Sequence, residues 1–334
     1  MGFENAGFET VVANEVNKSI ADSYEKNFPD VAMIQDDIAQ LDIEKEFEPW
    51  QGVEVVVGGP PCQGFSQKGS RLSLKDERNY LFKKYYEVVK VVRPEVFVIE
   101  NVPNILTSSD GFFAREIKTI FTSLGYTVTQ RVLRSEDYGV PQRRRRAIII
   151  GTQESKEMRL EHYKKPPTSA WDAISDLDFL ESGEGEFRQD YVYTPQSSYQ
   201  HSMRKRGNYL YNHVATTHSV EALHRLRQIP PEGGKEFLSP DQLTKSIYSG
   251  TWSRIVKSEP TVTITTRFDT PSSGRFTHPY RDRAITVREA ARIQSFPDDI
   301  VFHGTKSSQM LQVGNAVPPL LAESIGTCIM DSVF

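Results

Sequence analysis

The chain has 334 residues, of which 38 % are hydrophobic and 25 % charged, with a formal net charge of −4 at pH 7. That length suits one large domain plus a smaller one, and the composition is that of a soluble globular protein; no apolar run approaches the roughly 18 residues of a membrane span. Only Cys62 and Cys328 are present, which argues for a reducing compartment and against a disulfide framework or zinc cluster. The N-terminus, Met1-Gly2-Phe3-Glu4-Asn5, has no basic region and no apolar core, so it does not read as a secretory leader, and Gly7 stands where a myristoylation signal needs Ser or Thr.

In chain order, apolar spacing predicts a strand over residues 10–13, a helix over 16–27, strands over 31–34 and 53–57, and a helix over 79–92 stopped by Arg93-Pro94. Next come a strand over 96–99, a helix over 112–124 closed by Gly125, and strands over 126–133 and 147–150. This alternation predicts an α/β fold with a doubly wound, Rossmann-like parallel sheet. Past Glu154 the rhythm breaks. Residues 181–186, Glu-Ser-Gly-Glu-Gly-Glu, read as a flexible linker or loop. Residues 187–275 are rich in Tyr, Ser, Thr, His and Arg and read as irregular; helices are expected again over 284–294 and 318–330. The expected division is 1–153 as the main domain, 154–275 as a smaller one, and 276–334 as a return to the first.

The strand at 53–57 runs into Gly58-Gly59-Pro60-Pro61-Cys62-Gln63-Gly64-Phe65-Ser66. Two glycines permit a sharp turn and two prolines stiffen the backbone just before the cysteine, so a thiol is held on a rigid strand-end loop. Alone, the loop fits equally a Gly/Pro turn around a small buried cysteine. Other polar groups repeat the placement: Glu15 follows the first strand, Asp36 and Asp37 the second, and Glu100 ends the fourth. Carboxyl ends of strands are where open α/β sheets bind ligands.

The net charge hides an asymmetry. Residues 1–50 hold twelve acids and three bases, whereas residues 199–227 hold Arg204, Lys205, Arg206, Arg225 and Arg227 against Glu221 alone. Such a cluster is either a solvated face or a phosphate contact. The seven histidines show no metal-ligand spacing, and no metal is expected.

Six blocks, in order, closely resemble the DNA (cytosine-5)-methyltransferases. They are Pro60-Pro61-Cys62-Gln63-Gly64-Phe65-Ser66, Asp76 to Phe82, Glu100-Asn101-Val102, Gln142-Arg143-Arg144-Arg145-Arg146, Arg288 to Pro297, and Gln312-Val313-Gly314-Asn315-Ala316-Val317-Pro318. The resemblance implies that Cys62 adds to carbon 6 of cytosine, so that carbon 5 can accept a methyl group from S-adenosyl-L-methionine. It implies that Glu100 protonates N3, that Arg144 meets the cytosine carbonyl oxygen, and that Arg146 steadies the nucleophile loop. The apolar run before Glu100 makes burial, and hence a raised pKa, plausible. Glu15 is implied at the cofactor's ribose, Asp37 and Ile38 at its adenine, and Pro60, Leu81 and Asn315 near it. Gln63, Ser66, Thr263, Arg204 and Arg206 are implied at the substrate, residues 154–275 being the target-recognition domain. The target cytosine leaves the duplex to be modified. Double-stranded DNA is the implied partner, with a companion restriction endonuclease; the chain is expected to be a cytoplasmic, nucleoid-associated monomer.

One departure stands out. The family's first block, a strand ending in Phe-x-Gly-x-Gly-Gly, has no counterpart here; residues 1–8 resemble the segment directly after that block. Exposed sheet edges, an open cofactor pocket and weak cofactor binding are therefore expected. Two alternatives are carried: a tRNA cytosine-5 methyltransferase, which a methyl-transfer assay on both substrates separates, and an inactive, truncated DNA-binding relic.

Overall fold

The computed structural model describes residues 1–61, 80–204, 208–243 and 249–334. Cys62, Gln63, Ser66 and Arg206, all singled out from the sequence, lie outside the described residues. The strands are β1 (Val12–Asn14), β2 (Ala32–Ile34), β3 (Val55–Gly58), β4 (Val96–Asn101), β5 (Thr127–Arg134), β6 (Gln142–Arg143), β7 (Arg145–Thr152), β8 (Arg188–Gln189), β9 (Leu210–Tyr211) and β10 (Thr261–Val262). The helices are α1 (Gly2–Asn5), α2 (Lys18–Asn27), α3 (Ile43–Phe47), α4 (Tyr80–Val92), α5 (Asn104–Ser123), α6 (Ala170–Ile174), α7 (Ser198–Arg204), α8 (Val220–Leu226), α9 (Val287–Ile293), α10 (Lys306–Asn315) and α11 (Pro319–Val333).

The sheet is mixed rather than wholly parallel. Its order is β3-β4-β7-β5, with β3 parallel to β4 and both neighbours of β7 antiparallel to it. The physical reason is the short β5-to-β7 connection: residues 135–144 leave no room for a crossover helix, so the chain must return antiparallel. Among the described residues β1 pairs only with β2, in a separate parallel ribbon. β3 likewise pairs only with β4, and Val57 on it is 51 % exposed while β4 beside it is buried from Val96 to Ile99. Among the described residues β1 and β3 are thus each paired along one side alone.

Three local expectations differ. The helix expected from residue 112 begins at Asn104 and is broken at Ser108 to Gly111, where Ser109, Asp110 and Gly111 take positive φ; a left-handed run of this kind suits Asp-Gly and interrupts a helix. Helix α10 was not expected. Thr305 caps it by accepting from Ser308 N, and Gly314 and Asn315 form its last turn. The acidic Gly-rich stretch 181–186 is a packed turn, not a flexible linker: Glu181 N–H donates to Glu184 Oε2, and a Cβ on Gly185 would meet His213 O at 2.3 Å.

One apolar cluster joins Ala173, Tyr199, Ile255, Ile264 and Phe268 to Val287, Ile293, Met310 and Val313. Residues before and after position 275 therefore share a core. Through it runs α9, buried along its whole length although its sequence is Val-Arg-Glu-Ala-Ala-Arg-Ile. Its charges are matched internally: Arg283 makes two 2.8 Å bonds to Glu289, and Arg292 lies 2.5 and 2.6 Å from the two oxygens of Asp298. Burial alone would raise the Glu289 pKa, but Arg283 and the nearby histidines pull it well below the carboxylate range.

Candidate active site

β3 ends in Gly58, where a Cβ would stand 2.5 Å from the Tyr85 ring; only glycine lets α4 pack this close. The Tyr85 hydroxyl reaches the carbonyls of Val98 (2.9 Å) and Val56 (3.2 Å), tying α4 to both strands. Pro60 comes next, buried, and its carbonyl accepts a 2.8 Å bond from Asn101 Nδ2. Asn101, for which no role was expected, thus fastens the segment that leads to Cys62.

Glu100, the residue before Asn101, opens into a cavity of about 320 Å³. Arg144, Arg146, Thr263, Thr265, Gly314 and Asn315 line the same cavity. Arg146 Nε lies 2.7 Å from Glu100 Oε1, an ion pair whose angle falls short of a hydrogen bond. Burial raises the Glu100 pKa despite the opposing charges of Arg146 and Arg144. A carboxyl of that kind keeps a proton to donate at higher pH than an exposed glutamate does.

Arg144 is 2 % exposed. Its Nη1 donates to Ile264 O and its Nη2 to Gly314 O, both at 3.1 Å, while its Nε is buried with no partner among the described residues. Burial, reinforced by Arg146, lowers its pKa to about 10, so it remains a cation at neutral pH. A buried donor without a partner is costly in the free protein and valuable to a ligand that brings an acceptor. Thr263, by contrast, donates its hydroxyl to Arg143 O at 2.8 Å, and so shapes the rim of the cavity.

The structure therefore brings Glu100, Arg144, Arg146, Thr263 and Asn315 together, beside Pro60-Pro61. Glu15 and Asp37 stand apart from them, just past β1 and β2. Glu15 accepts from Asn17 N at 2.7 Å, and Asp37 from Ala39 N at 2.9 Å. Ile38 packs on the cluster around Phe47 and Val88, and Leu81 sits in the first turn of α4. Arg204 also lies apart from them: its side chain is 12 % exposed, ion-paired to Asp176, bonded to Tyr193 O and stacked 3.8 Å over Tyr191, so much of its charge is engaged within the protein. A larger hollow of about 660 Å³, lined by Phe179, Arg188, Asp190 and Tyr209, holds none of the expected site residues.

A mixed α/β sheet thus sets a partly buried acid and two arginines around one cavity at the end of β4. The family model for C-5 cytosine-specific DNA methylase matches residues 1–331, and the chain belongs to that family, whose members methylate carbon 5 of cytosine in DNA. It is 36 % identical to the type II methyltransferase M.DdeI of Desulfomicrobium norvegicum, over 97 % of this chain and 84 % of that one. It is 34 % identical to M1.HphI of Haemophilus parahaemolyticus, over 99 % and 83 %. A crystallised DNA modification methyltransferase encoded within an E. coli prophage superimposes with a TM-score of 0.78 at 25 % identity, covering 99 % of this chain and 94 % of that one. Among the described residues no helix is long and apolar enough to cross a membrane.

Proposed function

We propose that this chain methylates cytosine within a specific duplex DNA sequence as the modification enzyme of a restriction system, with Cys62 as nucleophile. The carrying observation is the meeting of Glu100, Arg144 and Arg146 in one cavity beside Gly59 and Pro61. In this reading Cys62 sulfur bonds to carbon 6 of an extruded cytosine. Glu100 gives its proton to N3 as the ring accepts electrons, and Arg144 donates its unpartnered Nε–H to the ring carbonyl oxygen. Arg146 keeps Glu100 aimed at the ring. S-adenosyl-L-methionine supplies, when bound, the electrophilic methyl group for carbon 5. Loss of the carbon-5 proton to water then lets the carbon–sulfur bond break, N3 returns its proton to Glu100, and the aromatic ring and the thiolate are restored.

The residues suit that cofactor. Each of the Glu15 and Asp37 carboxylates accepts a backbone N–H through one oxygen, and a carboxylate can accept more. Glu15 would take ribose hydroxyls, Asp37 and Ile38 would meet the adenine, and Pro60, Leu81 and Asn315 would line the remainder. Gln63, Ser66, Thr263 and Arg206 would face the DNA, and residues 154–275 would form the target-recognition region. We place the enzyme on the nucleoid as a monomer, with a companion endonuclease in the same system.

The test is transfer of labelled methyl to duplex DNA and, as control, to tRNA. Label in DNA alone, abolished by Cys62→Ser and strongly reduced by Glu100→Gln, is expected. Label in tRNA alone, or undiminished label with Cys62→Ser, overturns the reading.

A further inference from the structure

Behind Arg144 lies a second tie between the same two walls of the cavity. Gln142 and Gln294 are both fully buried. Ile264 N–H donates to Gln142 Oε1 (2.6 Å), Gln142 Nε2 donates to Gln294 Oε1 (2.7 Å), and Gln294 Nε2 donates to Val313 O (2.7 Å). A side-chain amide accepts only through oxygen and donates only through nitrogen. An N–H at one end and a C=O at the other therefore fix both amide orientations.

The two ends of this relay adjoin the two acceptors of Arg144. Ile264 offers its N–H to Gln142 and its C=O to Arg144; Val313 offers its C=O to Gln294, and the next carbonyl, Gly314 O, takes Arg144 Nη2. The spacing between those carbonyls decides where the guanidinium points. Nothing else about Gln294 approaches the cavity, and its side chain does not line it.

We infer that Gln294 is a positioning residue, which acts through Gln142 to set the two carbonyls that aim Arg144 at the target base. This rests on the role proposed for Arg144 at the ring carbonyl.

The test is a double-mutant cycle on single-turnover methylation, with enzyme in excess over duplex DNA and long time courses. Gln294→Met, close in volume, removes both side-chain hydrogen bonds. Gln294→Leu likewise removes both, without the thioether. Each is expected to slow the single-turnover rate about tenfold, with KM for DNA within about twofold, as for an interaction felt only in the transition state. In an Arg144→Ala background the same substitutions are expected to change the rate less than about twofold, because the relay then has nothing to aim. A purely structural role would give the same loss in both backgrounds and overturn the inference. So would a rate within twofold of wild type for either folded variant. If Arg144→Ala alone is as active as wild type, it is the role given to Arg144 that fails instead.

Discussion

Gly314→Ala probes the wall of the cavity with a single methyl group. A Cβ at this position would stand 2.3 Å from Thr265 O, 2.5 Å from Thr265 C and 2.8 Å from Thr266 N. All three are backbone atoms, so no side chain can rotate away. Ordinary contact lies near 3.5 Å, and one wall must therefore move by about 1 Å. The wall that moves carries Gly314 O or Ile264 O, the two acceptors of Arg144. Overpacking of this kind costs about 1–3 kcal/mol of stability, and a 1 Å displacement of a catalytic group costs on the order of 100-fold in rate. The assay pairs urea denaturation with single-turnover methylation of duplex DNA, at a temperature where the variant is folded. A destabilised but folded protein that has lost most of its rate is expected. Wild-type rate together with wild-type stability would refute the argument that these backbone contacts hold Arg144.

The proposed mechanism uses Glu100 as a neutral acid with a raised pKa, so the methylation rate is expected to fall as pH rises through that pKa, a limb that Glu100→Gln removes. The native chain holds that proton longer than the unfolded chain. Glu100 therefore contributes a stability that declines with rising pH, from the ordinary value of 4.5 up to the raised one, and equilibrium denaturation of the same pair of proteins checks the sign. Glu289→Gln leaves Arg283 buried and unneutralised, and is expected to cost about 3–5 kcal/mol in denaturant midpoint measurements. Since the Glu289 pKa is depressed, its contribution is present above the ordinary carboxylate range and fades as pH falls, so the gap between wild type and variant should narrow in acid. Arg204→Ala is expected to destabilise the fold while leaving the salt dependence of DNA binding unchanged; a phosphate contact would instead reduce the logarithmic slope by about 0.9.

Much of the site was legible because its chemistry is carried by short contiguous words placed at strand ends. The longer strands and helices up to residue 152 were legible for the same reason, since a two-residue or 3.6-residue period is a local property, whereas the short α1, α3 and β6 were not expected. What was not legible depends on partners distant in sequence. Arg204 looks like a surface cation until Asp176 and Tyr191 are folded against it. Arg288, Glu289 and Arg292 give α9 a polar sequence, yet every residue of it is buried: Arg283 and Asp298 flank it and pair with it, and Asp176 arrives from more than a hundred residues away. Asn101, Gln142 and Gln294 were in view within quoted motifs, but their work is to hold Pro60, Ile264 and Val313, which no spacing reveals. The antiparallel entry of β7 came from a connection length that the alternating pattern obscured.

The central claim is a reversible bond between Cys62 and a cytosine ring, and trapping it is the most direct test. Duplex DNA carrying 5-fluorocytosine at the target position cannot lose a proton from carbon 5, so the adduct should persist. With S-adenosyl-L-methionine present, a denaturation-resistant protein–DNA complex is expected from the wild-type chain and none from Cys62→Ser. An equal yield from Cys62→Ser, or methylated DNA from a wild-type chain that forms no such complex, would contradict the account.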